Sequence, residues 1–240
     1  MKIVEQILNY ASNQKQPFSR HDLMQFLESN KVSISSAHVL LQRLVEQGKL
    51  TKTGYGFYSI TNERKTNFIY RVTEEEKMIA LQVREKFPFA KFCVWSPSAL
   101  TPYMRHVPAI RMLLVDVERA AMESVFNFIQ ENYTATPILL NPTAQECDRY
   151  ITTDKILIVR VLINEAPVTI VEDTPVPTLE KILVDITSDK ELVFAQGAEL
   201  YTIYEETFSS YNVNRSRLLR YATRRHRKEE VFKIINFVES

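Results

Sequence analysis

Apolar positions recur with helical spacing through most of the chain. Ile3, Val4, Ile7, Leu8 and Ala11 form the stripe of a one-sided helix. A second helix is predicted from Ser19, with Ser19 and Asp22 as a capping-box pair, Phe18 stapled onto Leu23, and Leu23, Phe26 and Leu27 buried. In a third, Ser33 can cap the start and Gly48 can end it in the left-handed conformation. Ala37, Leu40, Leu41, Leu44 and Val45 then face a core. Two β-prone runs follow, Leu50–Thr53 and Phe57–Ile60, around Gly54-Tyr55-Gly56, which reads as a hairpin.

Beyond residue 66 the pattern changes. Thr73 and Glu76 open a capping box for a helix buried through Ile79, Ala80, Val83 and Phe87. Strands are predicted at Phe92–Trp95, Met112–Val115, Pro137–Leu140, Ile156–Leu162 and Val168–Val171. A long helix from Glu118 to Asn132 is amphipathic through Ala121, Val125, Phe128 and Ile129. From Thr178 onward the pattern is almost continuously helical, with stripes at Leu179, Ile182, Leu183 and Ile186 and at Leu200, Ile203, Tyr204 and Phe208, and Asn214 can cap the next helix. Prolines avoid 18–87 and 178–240 and punctuate the stretch between, as a mixed α/β region requires. The predicted class is α+β: an N-terminal winged helix-turn-helix at 1–65, then a mixed α/β domain at 66–240 with a helical C-terminal part. The boundary is expected in the charged stretch Thr61–Thr66.

A length of 240 residues suits two domains of roughly 100 residues each. The net charge of +1 hides a division: residues 1–65 hold nine Lys/Arg against five Asp/Glu, residues 211–240 hold eight against three, and the middle holds 13 against 21. Two basic ends around an acidic centre matter because local charge governs attraction to polyanions. Two cysteines, Cys93 and Cys147, exclude a disulfide scaffold and a Cys-rich zinc site. No apolar run is long enough for a membrane helix, and the amino end does not read as a signal peptide, so a cytoplasmic location away from membranes is expected.

The third helix carries the functional signal. Its outward residues are Ser35, Ser36, His38, Val39, Gln42 and Arg43, with no acid before Glu46. Hydroxyls, an amide and a guanidinium can hydrogen-bond base edges and phosphates. Three helices followed by a hairpin is the winged-helix order, in which the third helix enters the major groove of double-stranded DNA. The wing would bring Lys49, Lys52 and Tyr55 toward the backbone, with Arg64 and Lys65 close behind. Winged helices also serve as protein-interaction modules, so that alternative stays open. Near the other end Arg217, Arg220, Arg224 and Arg227 recur on one side of a predicted helix, with Leu218, Tyr221, Ala222 and Arg225 elsewhere around it. The row can contact phosphates, or it can pair with the acidic middle.

Catalysis is not expected. Asp116 and Glu118 at a strand end could hold a metal as in two-carboxylate nucleases, the alternative enzymatic reading, but Ala120 stands where such a nuclease wants lysine. Glu180, Lys181 and Asp185 read as helix-end charge and surface pairing. Cys93, beside Trp95 in an apolar strand, reads as a buried structural thiol. His21, His38, His106 and His226 are scattered without ligand spacing, glycine is absent from 57–196, and no Gly-Ser with paired aspartates marks a nucleotidyltransferase. No metal and no cofactor is predicted.

Three segments carry a resemblance. They are Phe92-Cys93-Val94-Trp95, the run Pro175-Val176-Pro177-Thr178-Leu179-Glu180-Lys181-Ile182-Leu183-Val184-Asp185, and Arg217-Leu218-Leu219-Arg220-Tyr221-Ala222-Thr223-Arg224-Arg225. With the N-terminal winged helix, this resembles the AbiEi-type antitoxins of bacterial abortive-infection toxin–antitoxin systems, loosely over most of the chain. The resemblance implies a transcriptional repressor of its own operon that binds inverted repeats in the promoter. It also implies a C-terminal domain needed to counteract a nucleotidyltransferase toxin, an antagonism thought not to need stable contact. Basic C-terminal surface that assists DNA binding would suit Arg217, Arg220 and Arg224. The third helix is only modestly basic by that standard, so a homodimer on DNA is the natural supplement.

Overall fold

The computed structural model describes residues 3–14, 17–30, 32–60, 65–151 and 155–239. The chain separates into two units, 1–65 and 66–240, each with its own core. Positions 61–64 of the expected boundary, Arg64 included, lie outside the described residues. The second unit begins with Thr66, whose N–H donates to the Ser210 carbonyl at 3.0 Å and whose carbonyl accepts from Asn212 at 2.9 Å.

In the first unit, helices α1 (Ile3–Ser12), α2 (Arg20–Ser29) and α3 (Ile34–Glu46) pack around Ile7, Ala11, Leu23, Leu27, Ala37, Leu41 and Leu44. The N-cap of α2 is Ser19, whose hydroxyl accepts from the Asp22 N–H at 3.0 Å. Phe26 faces outward instead of inward and rests against Tyr10. Ser33 occupies the N-cap of α3, but its hydroxyl bonds Ser35 Oγ and not the helix backbone. The other end of α3 closes as expected. Gly48 sits at φ 69°, its N–H donates to the Val45 carbonyl, and the Lys49 N–H donates to the Leu44 carbonyl, the paired bonds of a Schellman stop. Strands β1 (Phe18–Ser19), β2 (Leu50–Gly54) and β3 (Phe57–Ile60) form a small antiparallel sheet in the order β1-β3-β2.

In the second unit, α4 (Glu74–Lys86) starts at a complete Thr73/Glu76 capping box. Strands β4 (Phe92–Trp95), β5 (Arg111–Val117), β6 (Ile138–Leu140) and β7 (Lys155–Val161) form a sheet ordered β4-β5-β7-β6, with β4 antiparallel to β5 and the rest parallel. Period-two alternation divides its residues between two cores. Phe92, Val94, Leu113, Val115, Val117, Leu157 and Val159 meet α4 and α5 (Met122–Asn132) on one face. Cys93, Trp95, Met112, Leu114, Ile156 and Ile158 meet the C-terminal helices on the other. These are α7 (Leu179–Ser188), α8 (Ala198–Ser210), α9 (Arg215–Arg224) and α10 (Lys228–Val238). The unit is thus mixed α and β with a helical C-terminal part.

Several elements differ from expectation. α5 starts at Met122, four residues late, and Glu118 instead accepts the Lys91 N–H at 2.9 Å. A short helix α6 (Ala144–Tyr150) rises from a second capping box, Thr143 with Glu146. A hairpin joins β8 (Val168–Val171) to β9 (Thr174–Pro177), where two prolines argue against a strand. Glu172 and Asp173 both have positive φ, the mirror-image turn that suits a two-residue hairpin loop. Pro175 and Pro177 alternate with Thr174 and Val176, so by ladder alternation they fall at non-hydrogen-bonded positions and forfeit no bond. The predicted arginine helix also breaks. His226 takes φ 56°, with the His226 N–H on the Thr223 carbonyl and the Arg227 N–H on the Ala222 carbonyl, so Arg227 falls at the N-cap of α10.

Candidate nucleic-acid interface and buried ionic centre

Every expected DNA-facing residue of the first unit is exposed: Ser35, Ser36, His38, Gln42 and Arg43 on α3, Lys49 after it, and Lys52 and Tyr55 on the hairpin. The helix geometry causes this, since Ala37, Leu41 and Leu44 consume the inward positions. Gln42 Nε2 donates to Glu46 Oε1 at 3.2 Å, and Tyr55 stands 95% exposed at the hairpin tip.

The C-terminal arginines divide. Arg217 lies 3.6 Å from Glu180, Arg224 pairs with Glu165, and Arg227 pairs with Glu230 at 3.5 Å. Arg220 is exposed and forms no ion pair among the described residues. Two of the four therefore meet the acidic middle, and one meets its own helix.

A centre not anticipated from the sequence lies under α7. Asp116 on β5 and Arg160 on β7 are register partners one residue from the strand ends, and both point to the side of Trp95. Asp116 is 1% exposed. One of its oxygens accepts from Arg160 Nε, and the other accepts from Trp95 Nε1 at 3.1 Å and from Lys181 Nζ. Lys181 also donates to Asp185 at 2.6 Å, one helical turn along α7. Arg160 reaches Asp185 at 3.2 Å and Asp189 at 2.7 Å, Arg225 holds the other Asp189 oxygen, and Tyr221 donates to Asp185 at 2.9 Å. The Arg160 and Lys181 charges also stand over the Trp95 ring, 5.6 and 5.3 Å from its centre.

Burial pushes the Asp116 carboxyl up, but the Arg160 and Lys181 charges outweigh it and hold it at about 2. At Asp189 burial prevails over Arg160 and Arg225, with Asp185 and Glu191 adding repulsion, and the carboxyl rises to about 6. Burial likewise pushes the Cys93 thiol up, as suits a structural cysteine. Of the two carboxylates considered for a metal, Asp116 accepts from Trp95, Arg160 and Lys181, and Glu118 accepts the Lys91 N–H. No group of three or more potential ligands able to hold a metal occurs among the described residues.

The expectation of surface pairing for Glu180, Lys181 and Asp185 is overturned, because all three are buried. Glu180 accepts the Asn214 N–H at 2.9 Å and so tethers the start of α9. Arg225, which helical spacing places off the arginine row, enters the centre through Asp189. The available signal was a row at 181, 185 and 189, together with one charge interrupting each of two apolar strands, Asp116 and Arg160.

A cavity of about 260 Å³ adjoins this centre, lined by Asp116, Asn141, Arg160, Lys181, Asp189 and Glu191 among others. It lies at the carboxyl ends of β5, β6 and β7, where open parallel sheets commonly bind ligands. No helix among the described residues is long and apolar enough to cross a membrane. Comparison with curated proteins finds no match. A family of unknown function, DUF6577, matches residues 36–239, and the chain belongs to that family.

Proposed function

We propose that the protein is a DNA-binding transcriptional regulator whose first unit works as a winged helix-turn-helix. The observation that carries this reading is the exposed row Ser35, Ser36, His38, Gln42 and Arg43 on one helix, followed directly by a hairpin that presents Lys52 and Tyr55. Such a helix fits the major groove, its amide and guanidinium reach base edges, and the hairpin reaches the adjacent backbone. The excess of Lys/Arg over Asp/Glu in residues 1–65 supplies attraction to phosphates. With the AbiEi-type resemblance, the regulated promoter is the protein's own. Its inverted repeats are bound by a homodimer, and the physiological role is to counteract a nucleotidyltransferase toxin in the cytoplasm. Arg217, Arg220, Arg224 and Arg227 would add phosphate contacts, Arg220 most readily because it has no acidic partner among the described residues.

A mobility-shift titration on the upstream promoter at several salt concentrations tests the reading. Affinity should fall with salt by roughly 0.9 logarithmic units per decade for each phosphate contact. Arg43→Ala should weaken binding by about tenfold if the guanidinium reads a base. No shift at low salt with promoter or random duplex would end the proposal.

A further inference from the structure

The ionic centre is not electrically closed. Among the described residues it holds four carboxylates, Asp116, Asp185, Asp189 and Glu191, against three cations, Arg160, Lys181 and Arg225. Lys190 lines the same cavity but is an exposed residue. The three aspartates have donors on both oxygens. Glu191 does not. Its side chain is 5% exposed and accepts no hydrogen bond among the described residues, and its one cationic contact is Arg160 Nη1 at 3.6 Å. That nitrogen already donates to Asp189 at 2.7 Å. The Glu191 carboxylate thus opens onto the cavity with unused lone pairs, where a bound donor can reach them.

We propose that this cavity binds a small organic cation, an ammonium, amidinium or guanidinium compound, with Glu191 as its anchor. Such a group carries both things that are missing: one positive charge and N–H donors for the Glu191 oxygens. A volume of about 260 Å³ limits the occupant to a compact molecule. The lining combines charged and polar groups with apolar surface that includes Val161 and Ile163, so a charged nitrogen head on a short apolar stem suits it. A divalent metal fits less well. It needs several converging oxygens free of cations, whereas the aspartates here already hold Arg160, Lys181 or Arg225 and a guanidinium stands beside Glu191. Asn141, at φ 40°, forms part of the rim where the chain leaves β6.

This inference is independent of the DNA-binding reading, and its test needs no DNA. The purified full chain is titrated with agmatine, putrescine, L-arginine and ethanolamine by calorimetry and by thermal unfolding. Magnesium chloride and sodium phosphate serve as controls. The expected result is saturable heat and a raised Tm with at least one organic cation. In Glu191→Gln that affinity should fall by roughly tenfold or more. Without ligand, Glu191→Gln should melt at or above the wild-type temperature, because it removes the surplus buried charge. The proposal is overturned if none of the four binds, if only magnesium or phosphate binds, or if Glu191→Gln binds as well as the wild type. A Glu191→Gln that melts well below the wild type also overturns it, by assigning the carboxylate to the fold.

Discussion

Removing the Asp116 carboxylate should be among the most damaging single changes in the second unit. Asp116→Ala takes an acceptor from Trp95 Nε1, Arg160 Nε and Lys181 Nζ at once, in a place with almost no access to water. Breaking a buried pair from one side typically costs about 3–5 kcal/mol, since the partner charge stays buried. Here Lys181 keeps Asp185, and Arg160 keeps Asp185 and Asp189, which argues for the lower end. The orphaned indole N–H adds about 1 kcal/mol. A total of about 4 kcal/mol is a large share of the roughly 5–15 kcal/mol that holds a domain folded. Trp95 is the chain's one tryptophan and lies in the centre itself, so its fluorescence in a urea titration reports this unit directly. Glu230→Ala, which removes the half-exposed partner of Arg227, serves as the control and should change stability by less than about 1 kcal/mol. If Asp116→Ala loses no more than that control, the cations beneath α7 are solvated and the centre does not hold the fold.

Two further outcomes follow from the same physics. Asp189, faced by Arg160 from β7, Arg225 beyond α9, Asp185 on α7 and Glu191, has its carboxyl raised to about 6, above the ordinary value of about 4. Between those values the folded state binds more protons than the unfolded one. Stability therefore falls as pH rises from about 4 to about 6, by about 2–3 kcal/mol, and Asp189→Asn should flatten that slope in urea titrations. Asp116, held at about 2, works oppositely and only below about pH 4, so the two separate by pH. In the first unit, Gly48→Ala meets no neighbour within 4 Å, so its penalty is conformational, from φ 69°. At about 1 kcal/mol, the α3 amides should exchange hydrogen roughly fivefold faster, and an unchanged rate would deny the Schellman stop.

The first unit was legible because its signals are local. An apolar stripe, a serine cap and a glycine stop lie within a few residues of what they control, and Ile7, Leu23, Ala37, Leu41 and Leu44 are all buried as the spacing predicts. The sheet of the second unit was legible for the same reason, since β4, β5, β6 and β7 fall within a residue or two of the predicted runs. What stayed hidden depends on partners distant in sequence, or on residues in unusual roles. A histidine replaces glycine in the left-handed stop after α9, and β9 tolerates prolines only because of its ladder phase. The charges of α7 look like a solvated face until the sheet and α9 close over them, and then Lys181 and Asp185 need Asp116, Arg160 and Tyr221 to be buried at all. The exposed α3 row is fully visible in the sequence, but exposure alone does not name its partner.

Amide chemical-shift mapping of the full chain titrated with promoter duplex addresses the DNA-binding proposal most directly. Changes should concentrate at Ser35–Arg43 and along the Leu50–Phe57 hairpin and diminish as salt is raised. Changes confined to residues beyond 66, or none at low salt, would contradict it.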